Sequence, residues 1–270
     1  MLEIREVRKT FHPGTPNEVR ALQGVTLSLP EGSFALIIGT NGSGKSTLLN
    51  AVAGSFFPDS GEVRIAGTDV TRWPEHRRAS LVGRVFQDPF KGTAPGLSVA
   101  ENLALASRRG QSRGLGLALR GSLRRQIREA VGSLNMGLED RLDNAMGSLS
   151  GGQRQALTLL MATWLKPRLL LLDEPTAALD PKSADKVTAL AEAIVARDRL
   201  TTFMVTHSMQ QAAAFGDRLI MMHRGRPIYD VSGDDKKRVR PVDLLERFEE
   251  LRRSELLDEG AAEMLERAYV

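Results

Sequence analysis

The segment GTNGSGKST at 39–47 constrains this 270-residue chain more than any other. It follows the apolar run SFALIIG (33–39), precedes a helical pattern, and fits G-x-x-x-x-G-K-[ST]. Glycines let backbone N–H groups turn toward phosphate oxygens, and the N-terminus of the helix adds the positive end of its dipole. In this pattern Lys45 reaches the β- and γ-phosphates, and the hydroxyl of Ser46 ligates Mg²⁺. The residues predicted to line this nucleoside triphosphate site are Gly39, Thr40, Asn41, Gly42, Ser43, Gly44, Lys45, Ser46 and Thr47.

A pair of carboxylates ends the apolar run RLLLLDEP at 168–175. Asp173, at the end of the predicted strand, is placed to hold Mg²⁺ directly or through water, and Glu174 to polarise a water that attacks the γ-phosphate. An isolated Asp-Glu pair is more often a solvated turn. Four preceding leucines and a phosphate loop upstream favour the metal-and-water site instead.

Apolar and β-branched runs alternate with helical patterns from 33 to about 223, which predicts a mostly parallel sheet with helices on its faces. The predicted strands are 33–39, 81–87, 168–174 and 200–207. The predicted helices are 45–54, 181–197 and 208–216. Ahead of them, 3–11 and 19–29 alternate apolar and polar residues, which indicates an antiparallel β region flanking the main sheet.

Two segments differ from this α/β core. Residues from about 91 to 150 have a helical pattern that is rich in arginine and broken by glycine, so we expect an inserted helical subdomain at about 88–150. A C-terminal helical extension is expected at 233–270, which leaves a nucleotide-binding domain at 1–232. The extension carries an apolar stripe that most simply packs on its own domain. Its members are Leu244, Leu245, Phe248 and Leu251.

Composition narrows the function classes. The 37 basic and 33 acidic residues leave a net charge of +4, which is too small an excess to imply nucleic-acid binding. The arginines at 108–128 also lack the interleaved aromatics that stack on bases. The absence of cysteine excludes disulfides, thiolate metal sites and thiol nucleophiles. The first residues lack the apolar region of a signal peptide, and no apolar run approaches the roughly 18–20 residues of a membrane span, so we expect a cytosolic chain that reaches a membrane only through partners.

The run LSGGQ at 149–153 is a second candidate for binding an anion. Two glycines follow a serine and lead into the helical pattern QRQALTLLMATWL, as at the N-terminus of an anion-binding helix. A flexible glycine turn that caps a helix is the simpler alternative. Two phosphate-binding turns with one set of Mg²⁺ ligands suggest that the second turn completes the site of another molecule. Its predicted nucleotide-binding residues are Ser150, Gly151, Gly152 and Gln153.

Together these motifs resemble the nucleotide-binding domain of the ABC transporter family over roughly 2–232. The phosphate loop matches the Walker A motif, the Asp-Glu pair the Walker B motif with its catalytic glutamate, and LSGGQ the signature motif. The resemblance implies a P-loop NTPase core that binds ATP and Mg²⁺ and hydrolyses ATP. It places Glu174, Lys45 and three further single residues in the nucleotide site. Those three are Gln87 of the Q-loop as a catalytic residue and Mg²⁺ ligand, Asp180 of the D-loop, and His207 of the H-loop as a catalytic contact to the γ-phosphate.

Phe11 is the residue that the resemblance assigns to stacking on adenine, where the family usually has Tyr. Phe keeps the aromatic face and loses only the hydroxyl, so stacking is expected to persist. Taken alone, Phe11 is most simply a core residue, His207 a structural histidine and Gln87 an ordinary polar residue after a strand. Ala177 departs from the serine that the family often has in the D-loop, which removes one hydroxyl near the expected dimer interface.

By the same resemblance, two chains form a head-to-tail homodimer that sandwiches two ATP molecules. The expected partners are integral-membrane permease subunits and a periplasmic or lipoprotein substrate-binding protein, with no nucleic acid. The expected place is the cytoplasmic side of a bacterial inner membrane. The runs ATWLKPRLLLLDEPTAALDPKSADKV and VTHSMQQA are similar to ATPases of bacterial uptake systems, some linked to amino acids. The alternatives are the ATPase of a lipoprotein-releasing or macrolide-type exporter and, less favoured, a non-transport ABC ATPase that acts on ribosomes or DNA.

Overall fold

The computed structural model describes residues 1–110, 121–251 and 253. Within this part of the chain, strands form a six-stranded and a four-stranded sheet. In chain order the strands are β1 (Leu2–Phe11), β2 (Val19–Leu29), β3 (Phe34–Gly39), β4 (Ser60–Ile65), β5 (Thr68–Asp69), β6 (Val82–Val85), β7 (Leu169–Asp173), β8 (Thr201–Val205), β9 (Arg218–His223) and β10 (Arg226–Ser232).

Helices connect and flank these strands. They are α1 (Lys45–Ala53), α2 (Glu75–Arg78), α3 (Val99–Ala106), α4 (Gly121–Gly132), α5 (Gly151–Thr163), α6 (Pro181–Asp198), α7 (Met209–Ala214) and α8 (Gly233–Lys237), with a 3-10 turn at Met146–Ser148 and further helix at 241–251. Among the described residues, no helix combines the length and the apolar character that crossing a bilayer requires.

The six-stranded sheet has the order β10-β9-β3-β8-β7-β6 and is parallel except for β10, which pairs antiparallel with β9. Its central strands are buried on both faces, as the leucines Leu169–Leu172 show with no exposed area. All four predicted strands and the predicted parallel pairing are confirmed. β9 and β10, which were not among the predicted strands, extend the sheet on the side of β3 away from β8.

The four-stranded sheet has the order β2-β1-β4-β5 and is antiparallel. It contains the two segments that were predicted to be antiparallel, with Leu2 opposite Leu29 and Phe11 opposite Val19. Buried residues of both sheets and of α1 form one apolar cluster, so α1 is fixed between the sheets. This packing determines where the N-terminus of α1 lies.

A second apolar cluster joins α3, α4, the turn at Met146–Ser148 and α5. Helices α3 and α4 and the 3-10 turn thus lie within 91–150, where a helical pattern was predicted, whereas 91–98 and 133–145 are turns and loops. The division into a helical subdomain stays a prediction. The cluster is held by buried residues such as Leu103, Ile127 and Leu157. Arg113 and Arg120 of the arginine-rich run, with Gly114 and Gly116, lie at 111–120, outside the described residues.

The helix at 241–251 packs on the sheet through Leu244, which is fully buried, and through Phe248 and Leu251. Leu245 is 50% exposed, so its prediction as part of the same stripe is wrong. Residues spaced i, i+4 and i+7 share a helix face, whereas the next residue lies about 100° away around the axis. The rest of the predicted extension, 252 and 254–270, lies outside the described residues.

Candidate functional site

The phosphate loop connects β3 to α1, and Gly44 is the residue that caps α1. Gly44 has a φ of 97°, and a Cβ atom there would lie 2.4 Å from the carbonyl oxygen of Ala21. A side chain would therefore be strained and would collide with β2. The loop can bring its backbone so close to the neighbouring strand only because glycine occupies this position.

Lys45 is the first residue of α1 and is only 5% exposed. Its Nζ donates hydrogen bonds to the carbonyl oxygens of Gly39 and Thr40, each at 2.9 Å. Burial lowers the pKa of Lys45, and the charges of Glu174 and Asp173 oppose that change. The loop thus holds the ammonium group of Lys45 in a mostly buried position, and the two carboxylates favour its charged form.

Glu174 and His207 follow the adjacent parallel strands β7 and β8, whose register pairs Asp173 with Val205. The Nε2 atom of His207 lies 2.6 Å from Oε1 of Glu174. Glu174 is 8% exposed and its backbone N–H donates to the carbonyl of Val205 at 3.0 Å. A cavity of about 220 Å³ brings this pair together with most of the predicted phosphate-binding residues. Its lining residues are Asn41, Gly42, Ser43, Gly44, Lys45, Ser46, Thr47, Glu174 and His207.

Asp173 lies at the end of β7 and lines a different cavity, of about 350 Å³, together with Gln87. Burial raises the pKa of Asp173, and the cations Arg84, Lys91 and Lys45 oppose that change. The candidate metal ligands therefore offer a carboxylate from Asp173, an amide oxygen from Gln87 and a hydroxyl from Ser46. These hard oxygen donors, with at most one carboxylate, suit Mg²⁺, which prefers few protein ligands together with substrate phosphates.

Arg84 is a residue of this site that the sequence interpretation missed. Its Nη2 lies 3.6 Å from Oδ2 of Asp173 and donates to Oδ1 of Asn50 at 2.5 Å, while Nη1 donates to Oγ of Ser55 at 3.0 Å. The guanidinium therefore connects α1 and the segment after it with the end of β7. A charged residue inside the apolar run LVGRVFQ was the available signal, because arginine is rarely buried without partners.

The signature segment forms the N-terminus of α5, and Ser150 and Gln153 make a capping box there. The Ser150 hydroxyl accepts from the backbone N–H of Gln153, whose side-chain oxygen accepts from the N–H of Ser150, both at 3.3 Å. A Cβ atom on Gly152 would lie 2.8 Å from Cβ of Ser183, so the glycine allows α6 to pack against this turn. Gly151, by contrast, is exposed at the start of α5.

A cavity of about 210 Å³ lies at this turn, and Ser150, Gly152, Gln153 and Ser183 contribute to its lining. Among the described residues, it shares no lining residue with the phosphate-loop cavity. Asp180 caps α6, and its carboxylate accepts from the N–H of Ser183 at 3.0 Å. The signature and phosphate-loop residues are thus two separate sites on one chain.

Phe11 ends β1 and is not among the lining residues of these three cavities. Its ring makes an edge-to-face contact with Phe56, with centroids 5.5 Å apart at 82°. The Nζ of Lys9 lies 5.6 Å from the Phe11 centroid. The role of Phe11 in adenine stacking stays a prediction.

The fold and the site together define a P-loop ATPase, in which a phosphate loop and an acid–histidine pair meet at one edge of a parallel sheet. A family model described as ABC transporter matches residues 22–177. The tyrosine transport ATP-binding protein of Clostridioides difficile is 41% identical over 251 residues, which cover 92% of this chain and 99% of that protein. The lipoprotein-releasing system ATP-binding protein LolD 1 of Caulobacter vibrioides is 36% identical over 227 residues, which cover 82% of this chain and 92% of that protein.

Solved structures agree with this result. A dimeric ATP-binding cassette in a post-hydrolysis state, bound to ADP and Pi, matches with a TM-score of 0.74 and 30% identity over 86% of this chain and 98% of that chain. The chain belongs to the ABC transporter family. It is an ATP-binding and ATP-hydrolysing subunit of such a transporter.

Proposed function

We propose that this ATPase energises the import of a small solute, of the amino-acid class, through separate permease subunits. Support comes from the tyrosine transport relative, whose similarity extends over nearly the whole of both chains. Export, as suggested by the lipoprotein-releasing relative, is the second candidate. It ranks second because the similarity to that relative is lower, and covers less of the chain, than the similarity to the tyrosine transport protein.

The observation that carries the catalytic part of the proposal is the 2.6 Å contact between Nε2 of His207 and Oε1 of Glu174 beside the phosphate loop. Glu174 acts as the general base that polarises the attacking water, and His207 orients it and contacts the γ-phosphate. Lys45 leaves the carbonyls of its own loop to bind the β- and γ-phosphates. The loop backbone from Gly39 to Thr47 surrounds the same phosphates.

Ser46, Asp173 and Gln87 hold the Mg²⁺ that accompanies ATP in this proposal. When bound, Mg²⁺ neutralises part of the phosphate charge. Asp173 supplies the single anionic ligand. Arg84 connects the carboxylate of Asp173 to Asn50 of α1. Gln87 connects the metal site to the helical region that follows β6.

The separation of the two cavities supports a head-to-tail homodimer. The signature turn, with Ser150, Gly151, Gly152 and Gln153, faces the γ-phosphate of ATP held by the partner chain. Asp180 lies beside it at the interface, and Phe11 stacks on adenine. ATP then stabilises the closed dimer, and hydrolysis reopens it.

The remaining assignments follow from the same proposal. The chain divides into a nucleotide-binding domain at 1–232, with a helical subdomain at about 88–150, and a C-terminal extension at 233–270. Its partners are membrane permease subunits and a periplasmic or lipoprotein substrate-binding protein, and no nucleic acid. It lies on the cytoplasmic side of a bacterial inner membrane.

The test of the catalytic part is Glu174→Gln, which keeps the shape of the side chain and removes its basicity. We expect turnover to fall at least about a hundredfold, as for the loss of a general base. ATP should bind and convert the variant into a dimer, which sedimentation velocity would detect. A variant that stays monomeric at saturating ATP would show that the sandwich dimer is wrong.

The import part is tested in cells that lack this chain. Uptake of radiolabelled tyrosine and of a panel of other amino acids is measured. Uptake of the transported amino acid should fall in these cells. The wild-type chain should restore it and Glu174→Gln should not. Unchanged uptake of every amino acid, combined with accumulation of an unreleased lipoprotein, would favour the exporter.

A further inference from the structure

The chain segment that follows Gln87 is fastened to the turn that leads into the signature segment. The N–H of Met146 donates to the carbonyl of Leu97, and the N–H of Gly147 donates to that of Pro95, each at 2.9 Å. These hydrogen bonds place the exit of the Q-loop and the approach to Ser150 side by side. A displacement of one segment must therefore be accommodated by the other.

Arg154 holds the signature side of this junction. It lies on α5, four residues after Ser150, and is only 3% exposed. Its Nε donates to the carbonyl of Met146 at 3.2 Å, and Nη2 donates to those of Gly147 and Leu149, each at 3.0 Å. One planar guanidinium thus fixes three carbonyls of the turn that ends at Ser150.

Phe90 covers the face of that guanidinium. The Cζ atom of Arg154 lies 3.7 Å from the centroid of the Phe90 ring, within the range of a cation–π contact. The ring is 50% exposed and stands three residues after Gln87, so it lies on the Q-loop side of the junction. Gln155, next to Arg154, adds a second connection by donating through Nε2 to the carbonyl of Phe86 at 3.0 Å.

We propose that Phe90 and Arg154 are positioning residues for the signature turn. The ring orients the guanidinium, and the guanidinium orients the carbonyls that precede Ser150. The inference rests on the proposed function, because the signature turn is taken to bind ATP held by the partner chain. It follows that the Q-loop side of one chain adjusts the affinity of the nucleotide site whose phosphate loop belongs to the other chain.

The experiment uses the full chain in the Glu174→Gln background, where closed dimers accumulate. Phe90→Leu keeps an apolar side chain and removes the aromatic face, whereas Phe90→Tyr keeps that face. We expect Phe90→Leu to raise the dissociation constant of the ATP-bound dimer roughly tenfold, which is within the range for a desolvated cation–π contact. Phe90→Tyr should dimerise like its parent.

Two readouts separate positioning from folding. ATP binding to the dilute monomer should be the same in all variants, because Phe90 does not line the phosphate-loop cavity. The melting temperature should also be unchanged, because the ring is half exposed. The matched control is Tyr229→Leu, which removes the ring from another arginine stack, with Arg247 at 4.1 Å, on the opposite edge strand of the sheet. The control should dimerise normally.

A double-mutant cycle completes the test. Arg154→Lys keeps the charge and loses the planar group that reaches three carbonyls. Phe90→Leu should weaken dimerisation much less in the Arg154→Lys background than in the parent, because the ring then has no guanidinium to orient. Additive effects, normal dimerisation of Phe90→Leu, or equal loss in Phe90→Tyr would each overturn the inference. A Glu174→Gln parent that fails to dimerise would overturn the proposed function and this inference with it.

Discussion

At the scale of single residues, the proposed catalytic carboxylate of Glu174 depends on an uncommon backbone conformation. Glu174 has a φ of 47° and precedes Pro175. A non-glycine residue in this left-handed region carries a strain of about 1 kcal/mol or more. The hydrogen bond from its N–H to Val205 and the contact with His207 maintain it. This backbone conformation directs the Glu174 side chain toward His207, which follows β8.

His207→Ala tests whether the histidine acts through Glu174. Loss of the 2.6 Å contact should leave the carboxylate free to rotate, and turnover should fall about a hundredfold, as for a misplaced catalytic group. The measurement is steady-state ATP hydrolysis at saturating ATP and Mg²⁺. His76→Ala, at an exposed position on α2, is the matched control and should keep full activity.

The double variant Glu174→Gln/His207→Ala sharpens this prediction. Residues that act as one unit give strongly non-additive losses. The double variant should therefore hydrolyse ATP at about the rate of Glu174→Gln alone. A further hundredfold loss would show that His207 acts independently of the carboxylate.

At the scale of elements, the phosphate loop is held in place from the far end of its helix. Arg78 is fully buried, and its Nη1 donates to the carbonyls of Ala51 and Val52, at 2.7 and 2.8 Å, in the last turn of α1. Nε donates to Trp73 at 2.8 Å and Nη2 to Thr71 at 3.1 Å. Burial lowers the pKa of Arg78 to about 10, so it remains charged at neutral pH and favours the negative end of the helix dipole.

Arg78→Met should therefore destabilise the chain by about 3 kcal/mol, because it leaves several buried carbonyls without donors. Urea unfolding without nucleotide measures this loss. The free energy of unfolding of Arg78→Lys should lie between those of wild type and Arg78→Met, because one ammonium cannot reach four carbonyls. The control is Arg77→Met, whose guanidinium stacks on Trp73 at 3.9 Å on the surface and should cost less than about 1 kcal/mol. Similar losses for both variants would contradict the capping role.

The elements also show what the sequence could and could not predict. The phosphate loop, the Asp-Glu pair and the strands before them follow from local patterns, since apolar runs and glycine turns are read within about ten residues. The position of β9 depends on pairing with β3 across the fold, and that of β10 on pairing with β9, which the local pattern does not encode. Arg78 and Arg154 were missed because charged residues are ordinarily exposed, and only the fold shows which carbonyls surround them.

At the scale of the whole molecule, the two halves of the proposed nucleotide site lie apart on one chain. The phosphate loop lies at the end of β3 in the parallel sheet, whereas the signature turn begins α5, which packs in the helical cluster. Their cavities share no lining residue in the described part of the chain. A second copy in head-to-tail orientation can bring the two halves together twice, as closed two-fold symmetry requires.

Mixing two defective chains tests that assembly. Neither Lys45→Ala nor Ser150→Arg should hydrolyse ATP alone. Their heterodimer places both defects in one site and leaves the other intact, so an equal mixture should regain about a quarter of wild-type turnover if chains exchange freely and sites act independently. The control mixes wild type with Lys45→Ala/Ser150→Arg, where each heterodimer site receives one defect and only wild-type homodimers contribute. If each chain instead completed its own site, the first mixture would stay inactive and heterodimers of the control would turn over ATP.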